Sequence, residues 1–170
     1  MTKAIQIKNM SLGSGFPKIC VPLTGKTYDD LKEEAKAVLA AAPDLVEWRG
    51  DAYADLCDIE KTLETLDMIT GILGDIPVLF TIRTTHEGGM ADISIEEYGA
   101  INLAVAKAKK APLVDVEIFW EKDAKIQLIK DLQSEGAVII ASSHDFQKTD
   151  APEVLKARFM EMDKTGADVL

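Results

Sequence analysis

At 170 residues the chain suits one domain with a sizeable core, and 47% apolar with 28% charged residues is an ordinary globular balance. A net charge of −10 opposes binding to phosphate backbones, so neither nucleic acid nor an anionic membrane is expected as a partner. No apolar run is long enough to cross a bilayer, and the N-terminus MTKAIQIKNM has no signal core. Cys20 and Cys57 are too few for a disulfide framework and lack metal spacing, so a reducing, cytoplasmic setting is expected.

The alternation of Ile5, Ile7 and Met10, followed by Gly13-Ser14-Gly15 as a turn, predicts a short N-terminal hairpin. Lys18 to Leu23 reads as the first core strand, with Cys20 as a small core residue and Pro22 marking a strand end. Thr27 and Asp30 form a capping-box pattern opening a helix to about Ala41, with Leu31, Ala35, Val38 and Leu39 as its apolar stripe. Leu45 to Arg49 is the second strand. Asp58 to Leu73 is a helix with Ile59, Leu63, Leu66, Ile69 and Leu73 facing inward.

Pro77 to Arg83 is the third strand, and the Ser94/Glu97 box opens a helix to about Lys109. Leu113 to Phe119 and Ala124 to Ser134 supply the next strand and helix. Ala137 to Ala141 is a short apolar run that reads as a strand buried on both faces. Asp150, Pro152 and Glu153 start a last helix carrying Val154, Leu155, Phe159 and Met162, and residues 167–170 read as the start of a sixth strand.

Such alternation of strand and helix means a parallel sheet with helical crossovers. A five-stranded doubly wound sheet and part of an eight-stranded βα barrel both fit the pattern. The charges inside the strands favour the barrel. Glu47 and Arg49 share a face, as do Thr81 and Arg83, Asp115 and Glu117, and Ser142 and His144. Helices on both faces would bury these groups in apolar packing, whereas a barrel turns one face of every strand to its interior and C-terminal mouth. The expectation is therefore a single domain, residues 1–170: a (β/α)8 barrel truncated after about five βα units, with a hairpin before it.

His144 is one of two histidines and stands where the fifth strand gives way to a loop, a position suited to proton transfer near neutral pH. The plainer alternative is a histidine that caps the strand. Arg49 and Arg83 at adjacent strand ends could grip a carboxylate with paired hydrogen bonds. Glu87, in a Gly-bearing loop, could orient an imidazole, and Glu47 or Asp115 could accept from substrate hydroxyls. Against this stands an ion-pair network filling the interior, with Glu47–Arg49 and Asp115–Arg83 as its pairs. His86 is polar-flanked and reads as a solvated loop residue.

The segments VEWRGD at 46–51, LFTIR with EGG at 79–89 and SSHDF at 142–146, in that order and spacing, resemble type I 3-dehydroquinate dehydratase, as do PKICVPL at 17–23 and TGAD at 165–168. The resemblance runs the length of the chain. It implies an eight-stranded βα barrel and syn elimination of water from 3-dehydroquinate to 3-dehydroshikimate, the third step of the shikimate pathway to aromatic amino acids, without metal or organic cofactor. It makes His144 the residue that moves the C2 proton, Glu87 its partner, and Glu47, Arg49 and Arg83 the holders of substrate hydroxyls and carboxylate. The family's first-strand serine falls at Pro22. Its imine-forming lysine falls immediately after Leu170, so the 170-residue chain is expected to be inactive alone. Two open sheet edges would favour association, and a homodimer is expected. The remaining alternatives are another barrel lyase or aldolase, and a non-catalytic α/β module binding a small carboxylate through Arg49 and Arg83.

Overall fold

The computed structural model describes residues 4–170. Strands β1 (Ile5–Ile7) and β2 (Met10–Leu12) pair antiparallel as a hairpin. Its turn is Lys8-Asn9, with Lys8 at φ 49°, and not the expected Gly13-Ser14-Gly15, which follows β2. The shorter turn sets Ile7 opposite Met10, so both apolar side chains reach the core.

Five further strands alternate with five helices: β3 (Cys20–Leu23), α1 (Tyr28–Ala41), β4 (Leu45–Arg49), α2 (Ile59–Leu73), β5 (Val78–Thr81), α3 (Ile95–Ala108), β6 (Leu113–Glu117), α4 (Lys122–Ser134), β7 (Val138–Ser142) and α5 (Pro152–Asp163). The strands form one parallel sheet in chain order, β3-β4-β5-β6-β7. The expected capping boxes are present. Thr27 Oγ1 accepts from Asp30 N at 3.2 Å while Asp30 accepts from Thr27 N at 3.1 Å, and Ser94 with Glu97 repeats the arrangement. Each satisfies two amides that the first helical turn leaves without partners.

The two sheet faces are chemically distinct. Val46, Trp48, Phe80, Val114, Val116, Ile139 and Ala141 pack against Leu31, Leu66, Ile69, Ile101 and Ile129 from the helices. The alternate residues Leu45, Leu79 and Leu113 join Ile7 and Met10, so the hairpin covers the other face near the strand starts. The helices thus cover one face, with strands in sequential order, and the doubly wound arrangement does not apply. Among the described residues no helix is long and apolar enough to cross a membrane.

Several expected burials are absent, most of them beside an open edge. Cys20 is exposed on the edge strand β3 instead of lying in the core. The strand β7 is not buried on both faces, because Val138 and Ile140, on the hairpin face, are only half-buried. Leu39, Ile59, Val154 and Phe159 are exposed, and α5 buries Met162 alone. Val169 bridges Ile140, with Ala141 N donating to Val169 O at 2.8 Å, so a sixth parallel pairing begins where expected.

Leu66 on α2 is wholly buried in the larger core. Leu66→Ala is expected to lower unfolding free energy by about 3 kcal/mol in urea titrations. Phe16→Ala, at a side chain 89% exposed, should change it by less than about 0.5 kcal/mol.

Candidate active site

Beyond the apolar layer, the hairpin face becomes charged towards the C-terminal ends of the strands. Leu79 sits beside Leu113 in register, so Asp115 and Glu117 rise next to the end of β5, where the chain continues to Arg83. On the other side Asp115 sits beside Ile140 and Glu117 beside Ser142. Arg83 is 5% exposed, and both terminal nitrogens of its guanidinium are engaged. Its Nη2 donates to Asp115 Oδ1 at 2.9 Å, and its Nη1 to Glu117 Oε1 and Ser142 Oγ, each at 3.0 Å. Glu117 also accepts from Thr84 N at 2.8 Å, and from Thr84 Oγ1 and Trp120 Nε1 at 2.6 Å. Ser142 Oγ in turn donates to Asp115 Oδ1 at 2.8 Å.

Glu87 stands 3.6 Å from Arg83 Nη1 and is itself buried. Its Oε2 accepts from the backbone N–H of His144 at 2.8 Å and lies 3.0 Å from His144 Nδ1. An imidazole nitrogen facing a carboxylate carries the proton, which leaves Nε2 as the basic nitrogen. The two glycines after Glu87 make this geometry possible. Gly88 has φ 79°, and a side chain on Gly89 would collide with the carbonyl oxygen of Arg83. The EGG segment therefore turns tightly enough to bring Glu87 back over Arg83 and under His144.

His144 borders two cavities. One, of about 390 Å³, is lined by Glu47, Arg83, Asp115, Ser142, Arg158 and Leu170 among others. The second, of about 620 Å³, lies on the other side, against His86, Glu87, Phe119, Trp120 and Phe146. Arg49 makes a two-pronged pair with Asp51, at 2.8 Å for both contacts, and keeps 27% side-chain exposure. The expected Glu47–Arg49 ion pair is not formed, because Asp51 on the turn after β4 takes the guanidinium side-on, through Nε and Nη2. The Asp115–Arg83 pair is formed. Glu47, Arg83 and His144 are thus brought to one cavity. Arg49 stands apart at the end of β4, and Glu87 acts from behind His144.

Burial pushes the Asp115 carboxyl up to about 6, with the Arg83 guanidinium and the Ser142 hydroxyl pulling in the opposite direction. For Arg83, burial disfavours the charge, but the surrounding carboxylates outweigh it and its proton is held more tightly than usual. Among the described residues no group of His, Cys, Asp and Glu is arranged to hold a metal ion.

A profile of the type I 3-dehydroquinase family matches residues 19–170. The chain belongs to the type I 3-dehydroquinase family. It is 38% identical over 169 residues to 3-dehydroquinate dehydratase of Clostridium botulinum and 41% identical over 169 residues to that of Listeria monocytogenes. These alignments take in 99% of this chain but 66% and 67% of the relatives' own lengths. A crystal structure of the Clostridium difficile type I 3-dehydroquinate dehydratase with covalently modified comenic acid superposes with a TM-score of 0.95 at 35% identity, covering 98% of this chain and 66% of that one. The Enterococcus faecalis enzyme superposes at 0.89 and 36% identity, covering 96% and 68%.

Three residues of this site were not singled out by sequence reasoning. Trp120 sits in a turn just past a strand end. Tyr98 passes for a core aromatic, yet its hydroxyl accepts from Glu117 N and donates to Asp115 O, each at 3.3 Å. Lys125 was legible in principle. It shares the buried stripe of α4 with Leu128, Ile129 and Leu132, spaced by three, four and seven residues.

Asp115 binds its proton more tightly in the folded than in the unfolded chain, where the ordinary value is 3.8. Its burial is therefore free of charge cost below about pH 4, and stability falls as pH rises through 6. Asp115→Asn removes this titration. The stability of the natural chain relative to the variant should fall by up to about 3 kcal/mol between pH 4 and pH 7 in urea unfolding.

Proposed function

We propose that this chain supplies the proton-transfer half of a type I 3-dehydroquinate dehydratase site. The observation that carries the reading is the Glu87–His144 pair, 3.0 Å apart, at the edge of a cavity shared by Glu47, Arg83 and Asp115. In the family reaction a lysine amine condenses with the substrate ketone, releasing water and forming an imine. His144 takes the C2 proton, the bonding electrons flow into the imine to give an enamine, and the C1 hydroxyl leaves as water with a proton returned by the histidine. Hydrolysis of the imine then restores the lysine. Glu87 holds Nδ1 protonated, which keeps Nε2 as the accepting atom. Glu47 and Arg49 are the candidate partners for substrate hydroxyls and carboxylate. Arg83, held by its carboxylates through both terminal nitrogens, fits a group that offers the remaining side of its guanidinium to substrate without leaving them.

The sequential sheet fits the first strands of an eight-stranded βα barrel, with the 168–170 segment opening a sixth. Leu170 borders the same cavity as His144, and the resemblance puts the imine-forming lysine one place after it. The edge strand β3 and the exposed face of α5 suit association with a second copy.

Intact-mass measurement after adding 3-dehydroquinate and borohydride, which reduces an imine to a stable amine, tests the reading. An adduct on a chain extended through the natural reading frame, mapping just past Leu170, with none on the 170-residue chain, is expected. Adducts on neither would overturn the dehydratase assignment and favour a carboxylate-binding module. In the extended chain His144→Ala should lower kcat by at least about a hundredfold while changing ligand affinity little.

A further inference from the structure

Among the described residues the buried charged side chains include the carboxylates Glu87, Asp115 and Glu117 on one side and the cations Arg83 and Lys125 on the other. Arg83 is shared by all three carboxylates, one positive charge against three negative ones. Lys125 is fully buried at the first turn of α4, and its Nζ has no hydrogen-bond partner. It lies instead 3.1 Å from the centre of the Tyr98 ring and 3.8 Å from that of Trp120. Trp120 reaches a carboxylate directly, its Nε1 donating to Glu117, while the Tyr98 hydroxyl bonds the backbone of Asp115 and Glu117. His86 stacks on Trp120 at 4.5 Å between ring centres.

We propose that Lys125 is a positioning residue of this site, a second buried cation that offsets the carboxylates beneath His144 through a cradle of Tyr98 and Trp120. A buried ammonium with no hydrogen bond is costly unless nearby charge and ring faces compensate it. The groups that face it supply both. Asp115 and Glu117 come from β6, Arg83, His86 and Glu87 from the segment after β5, Tyr98 from α3 and Trp120 from the turn before α4. Burial draws the Lys125 ammonium down to about 7, against the pull of Glu117, Asp115 and Glu87, so its charge changes near neutral pH. The potential at Glu87, and with it the proton affinity of the imidazole that Glu87 holds, then depends on a lysine that touches neither.

The inference rests on the reading of His144 as the proton-transfer group only for its importance to turnover; the charge relation is measurable without catalysis. With two histidines in the chain, both imidazole signals can be followed by NMR in the 170-residue protein, His144→Ala assigning them. Lys125→Met keeps the length and apolar stem and removes the charge. Loss of a nearby positive charge should raise the affinity of His144 for a proton about threefold or more. A folded variant in which that affinity is unchanged would overturn the proposal. A second measurement needs no substitution: in the natural chain labelled with 13C-lysine, the ring-shifted Lys125 signal should titrate between pH 6 and 8, and the His144 signal should inflect at the same pH. A Lys125 signal that is that of a neutral amine throughout the range from pH 5 to 8, or one that titrates without any response at His144, would equally refute it. Adduct formation in the borohydride experiment is unaffected by either result, so the two readings fail separately.

Discussion

The structure depends on how the Arg83 guanidinium is buried. Three carboxylates from two elements, Asp115 and Glu117 on β6 and Glu87 on the loop after β5, converge on one planar cation, and the Ser142 hydroxyl fills a remaining donor. Arginine suits this place because its fork of five donors can meet several acceptors at once and keeps its charge at any working pH. A lysine offers one point of charge and would leave Asp115 or Glu117 without a direct contact to a cation. Removing any member strands a buried charge, which is far more costly than the pair is stabilising. The set therefore ties β5 to β6 and β7, and fixes the loop that carries Glu87.

That burial divides the labour among the charged residues. Arg83 is the counter-ion that lets Glu117 and Asp115 exist inside the protein, and its freedom to move towards a ligand is small. Arg49 is held from one side only, by Asp51, and keeps part of its guanidinium in solvent. Glu47 has a cavity position and no partner in an ion pair of its own. These two hold more unused bonding capacity than Arg83. The geometry of His144 is set from the far side of Arg83, through Glu87, so the proton-transfer group is anchored to the same charge that holds the sheet together.

Much of this was legible in the residues. The two capping boxes, the strand Leu45–Arg49, the start of the next-but-one strand at Leu113 and the sharing of one face by alternate charged residues all follow from local chemistry and a period of two. What failed was judgement of burial at the edges. Cys20, Leu39, Ile59 and Phe159 have apolar patterns that fit a covered surface, but the pattern says only which face a side chain takes, and whether a neighbour covers it is a long-range fact. The Gly13-Ser14-Gly15 turn failed for a related reason. Glycine permits a turn without requiring one, and pairing Ile7 with Met10 selected the shorter loop. Lys125 was missed because a lysine in an apolar stripe reads as a solvated stem until Tyr98 and Trp120 are seen around it.

The same charges also decide the topology. A parallel sheet with helices on both faces needs apolar side chains on both, and here Val46, Trp48, Phe80, Val114, Val116 and Ile139 satisfy only one. On the other face the apolar layer stops at Leu45, Leu79 and Leu113, where the hairpin covers it, and gives way to carboxylates, arginines and His144. A helix laid across that upper half would bury ionised groups without partners. A face left free of helices lets them pair with one another and open onto a cavity. The sequential order of strands and the grouping of Glu47, Arg83, Asp115 and His144 are thus two results of a single constraint, that half of one sheet face must remain polar.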